Sequence, residues 1–132
     1  MNANTTLIQL LGALRDHLVV VEPAGEIVTV EASVIDGDMI TVHLRGGRLA
    51  ELAGSLLGWA YTLRTPTVTA WRVPDGEWVH VSVSGRLVDE SVYVYGGVAF
   101  DPDIFGSDLQ PGGRAGVALG VLRGWAGLGV AA

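Results

Sequence analysis

The first part of the chain carries apolar residues spaced for one face of a helix. They recur at steps of four and three from Leu7 to Leu18, which predicts an amphipathic helix. Thr6 and Gln9 have the spacing of a capping box, so we expect the helix to begin there. A second, broader apolar stripe follows Gly46-Gly47 and ends before Pro66, which predicts another helix.

Strict alternation of apolar and polar residues on both sides of Asp36-Gly37-Asp38 predicts a β-hairpin with a three-residue loop. This loop sets the register, and a slip by one residue would bring apolar and polar side chains together. The expected pairs are Val34 with Ile40, Ala32 with Val42, Val30 with Leu44, Glu31 with His43, and Thr29 with Arg45.

Three more antiparallel strands are predicted at 67–73, 77–87 and 92–100. The turn Pro74-Asp75-Gly76 joins the first two, and a loop at 88–91 joins the last two. The first register pairs Ala70 with Val81, Val68 with Val83, Trp71 with His80, and Thr69 with Ser82. The second pairs Leu87 with Val92, Gly85 with Val94, Arg86 with Tyr93, and Ser84 with Tyr95.

The C-terminal part of the chain is predicted to be an irregular loop at 101–113 and a glycine-rich helix at about 114–126. Gly116, Gly120 and Gly124 oppose that helix by roughly 3 kcal/mol relative to Ala. Their spacing of four places them on one face, where another backbone can approach closely. Gly54 and Gly58 in the second helix offer a similar close-packing face.

The order of elements is α-β-β-α-β-β-β-α, with no linker or repeat that divides the chain. We therefore expect a single domain, 1–132, with a two-layer α+β fold: a five-stranded antiparallel sheet with helices on one face. This element order resembles that of roadblock-like and profilin-like domains, which commonly dimerise. The analogy rests on element order alone, and it implies that the two hairpins lie at opposite ends of the sheet.

The predicted registers give the sheet one face of Val, Leu and Ile and one face rich in aromatic and hydroxyl side chains. Rings present a large contact area at low entropic cost and keep polar tips, which suits recognition. A solvated face stabilised by cross-strand pairs explains the same pattern equally well. The residues of the candidate interaction face are Trp71, Trp78, His80, Arg86, Tyr93 and Tyr95.

The amino-acid composition limits the kinds of catalytic and metal-binding site that the chain can form. The chain has 132 residues, no Cys, and no Lys among its eight basic residues. This excludes thiol nucleophiles, thiolate metal sites, Schiff bases and Walker-type phosphate loops. His43, His80 and Glu31 suggest a metal site only if the two hairpins meet, and Ser82 beside His80 has no acid on its strand to complete a triad. We therefore expect no catalytic residues, no metal site and no cofactor.

The formal charge of −6 argues against nucleic acid and anionic membranes as partners. Arg123 inside the short apolar C-terminal segment argues against a membrane span. The N-terminal segment has no basic stretch before its apolar residues, so we expect a cytoplasmic protein. An Arg-only chain rich in Ala, Val and Gly is typical of a GC-rich genome or one of its phages.

These observations predict a non-enzymatic protein-interaction or assembly subunit. It would associate with itself, as a homo-oligomer, or with an assembly partner through the aromatic sheet face or the glycine-spaced helices. The alternative is a module that binds a small molecule or nucleic acid, or a small enzyme, with its site around Trp71, His80 and Tyr95.

Overall fold

Six strands form one mixed sheet in the order β1-β2-β5-β4-β3-β6. The structure is a computed structural model, and it describes residues 2–21, 25–35 and 37–127. The elements are α1 (Ala3–Val21), β1 (Ile27–Ser33), β2 (Met39–Leu44), α2 (Leu49–Ala60), β3 (Arg64–Arg72), β4 (Trp78–Leu87), β5 (Glu90–Ala99), α3 (Pro102–Phe105), β6 (Arg114–Val117) and α4 (Leu119–Gly127).

The α+β class is confirmed, but the five-stranded antiparallel sheet was wrong in detail. β2 pairs with β5 in parallel, and the other neighbours are antiparallel. Helix α2 explains the parallel pair. It returns the chain to the end of the sheet where β2 began, so β3 runs in the same direction as β2. Two hairpin reversals then give β5 that direction as well.

The C-terminal segment differs from the predicted helix at 114–126. Residues 114–117 form the edge strand β6, which places Gly116 opposite Thr69 of β3. Glycine is a poor helix former, whereas the open edge of β3 offers backbone hydrogen bonds to this segment. Helix α4 begins only at Leu119.

In the predicted irregular loop, α3 is capped by Asp101, whose carboxylate accepts a hydrogen bond from the Asp103 amide at 2.9 Å.

Helix α1 begins earlier than the capping-box spacing predicts. Its first residue is Ala3, and Asn2 provides the cap. The Asn2 side-chain oxygen accepts hydrogen bonds from the Thr5 amide at 2.9 Å and from the Thr5 hydroxyl at 3.1 Å. Thr6 therefore lies inside the first turn. Asparagine caps as well as threonine does, so the spacing to Gln9 was misleading.

The β3–β4 register is confirmed at every predicted pair. The other two hairpins are shifted by two residues: Ala32 faces Ile40 in the first, and Gly85 faces Val92 in the second. A shift of two keeps each side chain on its predicted face, so alternation does not detect it. The β4–β5 turn is shorter than expected because Val88 adopts a left-handed conformation (φ 49°). In the first hairpin, the turn residue Asp36 lies outside the described residues.

The core fills the space between one sheet face and the helices α1, α2 and α4. Trp59 and Leu56 of α2 and Leu122 of α4 are fully buried there, together with the predicted apolar side chains of β2, β4 and β5. Burial of this apolar face is the main stabilising contribution to the fold. No helix of the described segments covers the opposite sheet face. None of the described helices combines the length and apolar character needed to cross a membrane.

Candidate functional site

The uncovered sheet face brings six ring side chains together on four neighbouring strands. Because β5 lies between β2 and β4, Tyr95 sits opposite His43 on one side and Ser82 on the other. Trp71 on β3 faces His80 on β4. We call this surface the aromatic face. Its residues are His43, Trp71, Trp78, His80, Tyr93 and Tyr95.

Five of these rings form a connected network centred on Tyr95. The His43 and Tyr95 rings are stacked, with centroids 4.6 Å apart and planes at 2°. His80 and Tyr93 lie 5.2 and 5.5 Å from Tyr95. Trp71 meets His80 edge-on at 5.3 Å. These are favourable distances for aromatic pairs, so the face is a preorganised platform with Tyr95 at its centre.

The position of His43 corrects an expectation of the sequence analysis. The analogy with roadblock-like domains separated the two hairpins, whereas only β5 separates β2 from β4 here. His43 and His80 therefore flank the same tyrosine. Glu31 pairs with Thr41 and not with His43, because the hairpin register is shifted. Within the described part of the chain, no three Asp, Glu or His side chains are grouped so that they could hold a metal ion.

His80 is affected by both burial and the neighbouring His43. Burial lowers the pKa of His80 below its ordinary value, and the nearby positive charge of His43 lowers it further. Both effects disfavour the charged imidazolium. At neutral pH the His80 imidazole is therefore mainly uncharged, and it contributes aromatic and hydrogen-bonding character to the face.

The polar tips of the six ring side chains make no side-chain hydrogen bond with any other residue of the described segments. The polar groups are two phenol hydroxyls, two indole N–H groups and two imidazoles. Beneath them Ser82 is buried, and its hydroxyl donates to the Thr69 carbonyl at 3.4 Å rather than to His80. The rings are held by their neighbours, while their donors and acceptors remain available to a binding partner.

A shallow hollow of about 360 Å³ lies at one end of the aromatic face. Its floor is backbone, because Gly46 and Gly47 pass directly against Gly97. The Gly47 amide donates to the Gly97 carbonyl at 3.1 Å, and a Cβ on Gly46 would lie 2.0 Å from that oxygen. Sequence reasoning missed this feature, although two Gly-Gly pairs at 46–47 and 96–97 were visible in the sequence. The hollow is lined by His43, Gly46, Gly47, Trp78, His80 and Gly97.

Arg86 does not belong to the network. It was predicted opposite Tyr93, but the shifted register places it opposite Ser91, where its guanidinium donates to the Asp89 carbonyl. The cation–π contacts of the described chain involve Arg72 with Phe100 and Arg123 with Tyr61.

Four of the five predicted close-packing glycines do not sit against a neighbouring backbone within the described chain. A Cβ added at Gly54, Gly116, Gly120 or Gly124 would meet no atom within 4 Å. Gly58 is half-buried on α2. Helix α4 does pack against α2, and its Leu122 is fully buried in the core.

Comparison of the chain with protein-family models, with curated proteins and with solved structures finds no match.

Proposed function

We propose that the protein is a non-enzymatic interaction subunit, and that the aromatic face is its contact surface for another protein chain. The observation that carries this proposal is the ring network around Tyr95, whose polar tips lack side-chain hydrogen-bond partners within the described segments. Tyr and Trp are enriched at the centres of protein interfaces because they combine large contact area with a polar group. The proposal includes the self-association and cytoplasmic location expected from the sequence.

The electrostatics of the face support a protein partner over a charged ligand. The pKa of His80 is lowered, which favours its neutral imidazole at physiological pH. Desolvating neutral rings costs far less than desolvating charges, and interface centres are depleted in charged residues for this reason. Two arginines lie at the margins of the face: Arg114 is opposite Trp71 on the edge strand β6, and Arg86 at the end of β4 donates to the Asp89 carbonyl.

Two variants with a matched control test the proposal. Tyr95→Ala removes the centre of the network and Trp71→Ala removes its end, whereas Tyr61→Ala removes an exposed tyrosine that lies off the face. Light scattering at rising concentration measures self-association. A photoreactive phenylalanine at position 78 cross-links any other protein, and the same label at position 61 serves as the control.

We expect Tyr95→Ala and Trp71→Ala to weaken binding of the protein cross-linked from position 78 roughly ten- to hundredfold, as truncation of central aromatic residues does, and Tyr61→Ala to have no effect. If the face variants bind every partner as well as the wild type does, the aromatic face is an ordinary solvated sheet surface.

The hollow beside His80 favours a second candidate, a small-molecule binding module. Its volume of about 360 Å³ lies within the range of ligand sites, and its imidazoles, indole and exposed glycine backbone offer both stacking and hydrogen bonds. A thermal-shift screen with sugars, nucleotides and metal ions tests it. A reproducible rise in melting temperature that His80→Ala abolishes would favour this candidate over protein binding.

A further inference from the structure

We infer that the chain forms a two-fold dimer by pairing the edge strand β1 with β1 of a second copy. β1 is the outermost strand on its side of the sheet, so one row of its backbone N–H and C=O groups has no strand partner among the described residues. Such an edge is a template for another strand unless it is protected. This inference deepens the proposed function, because it assigns self-association to a different surface and leaves the aromatic face for another protein.

The two edges of the sheet are protected very differently. β6 has only four residues, begins with Arg114, and ends one residue before α4. β1 has seven residues, contains no Pro, and has Glu31 as its single charge. Its register irregularity lies at its start, between Ile27 and Thr29, and the rest of the strand is regular. Of the two edges, β1 is the one that can accept another strand.

Exposed apolar side chains of α1 and β1 add a hydrophobic contact beside this edge. We call this set the edge patch. Its members with their exposed fractions are Ile8 (70%), Leu11 (50%), Val19 (72%), Val28 (49%) and Val30 (39%).

The position of α1 explains why these side chains lie on the outer side. His17 bonds to Thr62 at 3.0 Å and lies 5.7 Å from the Trp59 ring of α2. Ile8 is nine residues away, about two and a half turns, and so lies on the opposite face of the helix. Helix α1 contacts β1, β2 and β4, whereas α2 contacts β3, β4 and β5, so α1 is the helix that lies nearer the β1 edge.

Charge excludes one register for the strand pair, and apolar pairing favours another. A two-fold axis perpendicular to the sheet lies between the two strands, and it keeps like faces together only if one residue of β1 lies opposite its own copy. An axis at Glu31 would place two carboxylates directly opposite each other, which is destabilising. An axis at Val30 places Glu31 opposite Thr29 of the second copy and Val30 opposite Val30. This register joins apolar to apolar and separates the like charges.

The area of the edge patch indicates a weak dimer. Five half-exposed aliphatic side chains offer on the order of 250 Å² of apolar surface per copy. Specific interfaces bury about 800 Å² per partner, and transient ones bury less. We therefore expect a dimer that forms in the micromolar range. Because each chain carries a formal charge of −6, added salt should strengthen it by screening the repulsion.

Sedimentation of the wild type and four variants tests the inference. Val30→Lys introduces a charge next to the two-fold axis. Ile8→Lys introduces a charge into the helix part of the edge patch, at a highly exposed position that tolerates the substitution. Val121→Lys is the matched control, because Val121 is 47% exposed on α4, away from the edge. Tyr95→Ala tests the aromatic face. We expect both edge variants to weaken the dimer at least about tenfold, and the other two to leave it unchanged.

A cysteine at the two-fold axis provides an independent measurement. The chain has no Cys, so Val30→Cys can form a disulfide only with a second copy. We expect a covalent dimer on mild oxidation, and none for the control Val121→Cys. A wild type that is monomeric throughout, or a dimer that persists in both edge variants, would overturn the inference. A dimer lost only in Tyr95→Ala would overturn it too, but would support self-association through the aromatic face.

Discussion

Arg72 connects the C-terminal loop to the sheet. From the end of β3 its guanidinium donates to the Gly76 carbonyl at 2.9 Å and to the Leu109 carbonyl at 2.7 Å. The same group lies 3.6 Å from the centroid of the Phe100 ring. One side chain therefore joins the β3–β4 turn, the end of β5 and the loop that leads to β6.

We expect Arg72→Ala to lower the free energy of unfolding by about 2–3 kcal/mol, because hydrogen bonds from a charged donor are stronger than neutral ones. Arg72→Lys keeps the charge but lacks the planar donor group, so its cost should fall between zero and that of Arg72→Ala. Urea unfolding of the three proteins measures the effect. Equal midpoints would mean that solvent replaces these bonds without loss.

His80 and His17 make the fold sensitive to acid. Burial lowers the pKa of both, and His43 lowers that of His80 further. The unfolded chain therefore binds protons more readily than the folded chain does as the pH falls below about 6.5. Their contribution to stability is present above that pH and is lost as the pH falls toward the folded-state values.

We expect the free energy of unfolding to decrease on acidification, and His80→Gln to reduce this dependence. His43→Gln should raise the pKa of His80, because it removes the nearby positive charge. NMR titration of the imidazoles measures the pKa directly, and unfolding at several pH values measures the stability. A pKa for His80 at or above that of an unfolded histidine would contradict the proposed electrostatic arrangement.

At the scale of elements, the glycines fall into two groups with opposite roles. Gly54 and Gly124 lie in helices where an added Cβ would meet nothing within 4 Å. Gly46 lies in the crossing with β5, where a Cβ would be 2.0 Å from the Gly97 carbonyl oxygen. Identical Gly→Ala changes should therefore have opposite effects.

We expect Gly54→Ala and Gly124→Ala to raise the free energy of unfolding by roughly 0.5–1 kcal/mol each, because alanine favours helix. Gly46→Ala should lower it by more than about 1 kcal/mol, since the backbone must move. Thermal unfolding measures all three. If the helix variants are neutral in stability but lose self-association, the glycines contact a second copy, as the sequence analysis expected.

The hairpins show what a hydrophobic pattern can resolve at this scale. Alternation identified β1 to β5 and sorted most of their side chains between the two sheet faces. It did not distinguish registers that differ by two residues, because both place the same side chains on the same face. The β3–β4 hairpin was predicted correctly because Asp75-Gly76 marks its turn. The β4–β5 turn relies on Val88 in a left-handed conformation, which valine rarely adopts.

At the scale of the whole molecule, the parallel pairing of β2 with β5 creates the candidate site. It places His43 against Tyr95 and leaves the hollow between the two Gly-Gly segments. If β1 pairs across a two-fold axis as inferred, the sheet continues from one copy to the next. Both aromatic faces then lie on the same side of the continuous sheet, and the dimer presents two identical binding surfaces.

The amino-acid sequence by itself determined the α+β class, the first two long helices, five of the six strands and most members of the aromatic face. These follow from periodicity, which is a local property of the chain. Only the tertiary structure decided the strand order, the two shifted registers, the sixth strand and the meeting of His43 with His80. These features depend on which distant segments pair their backbone hydrogen bonds and bury each other's apolar surface. Competing strand pairings can share the same local pattern of apolar and polar residues.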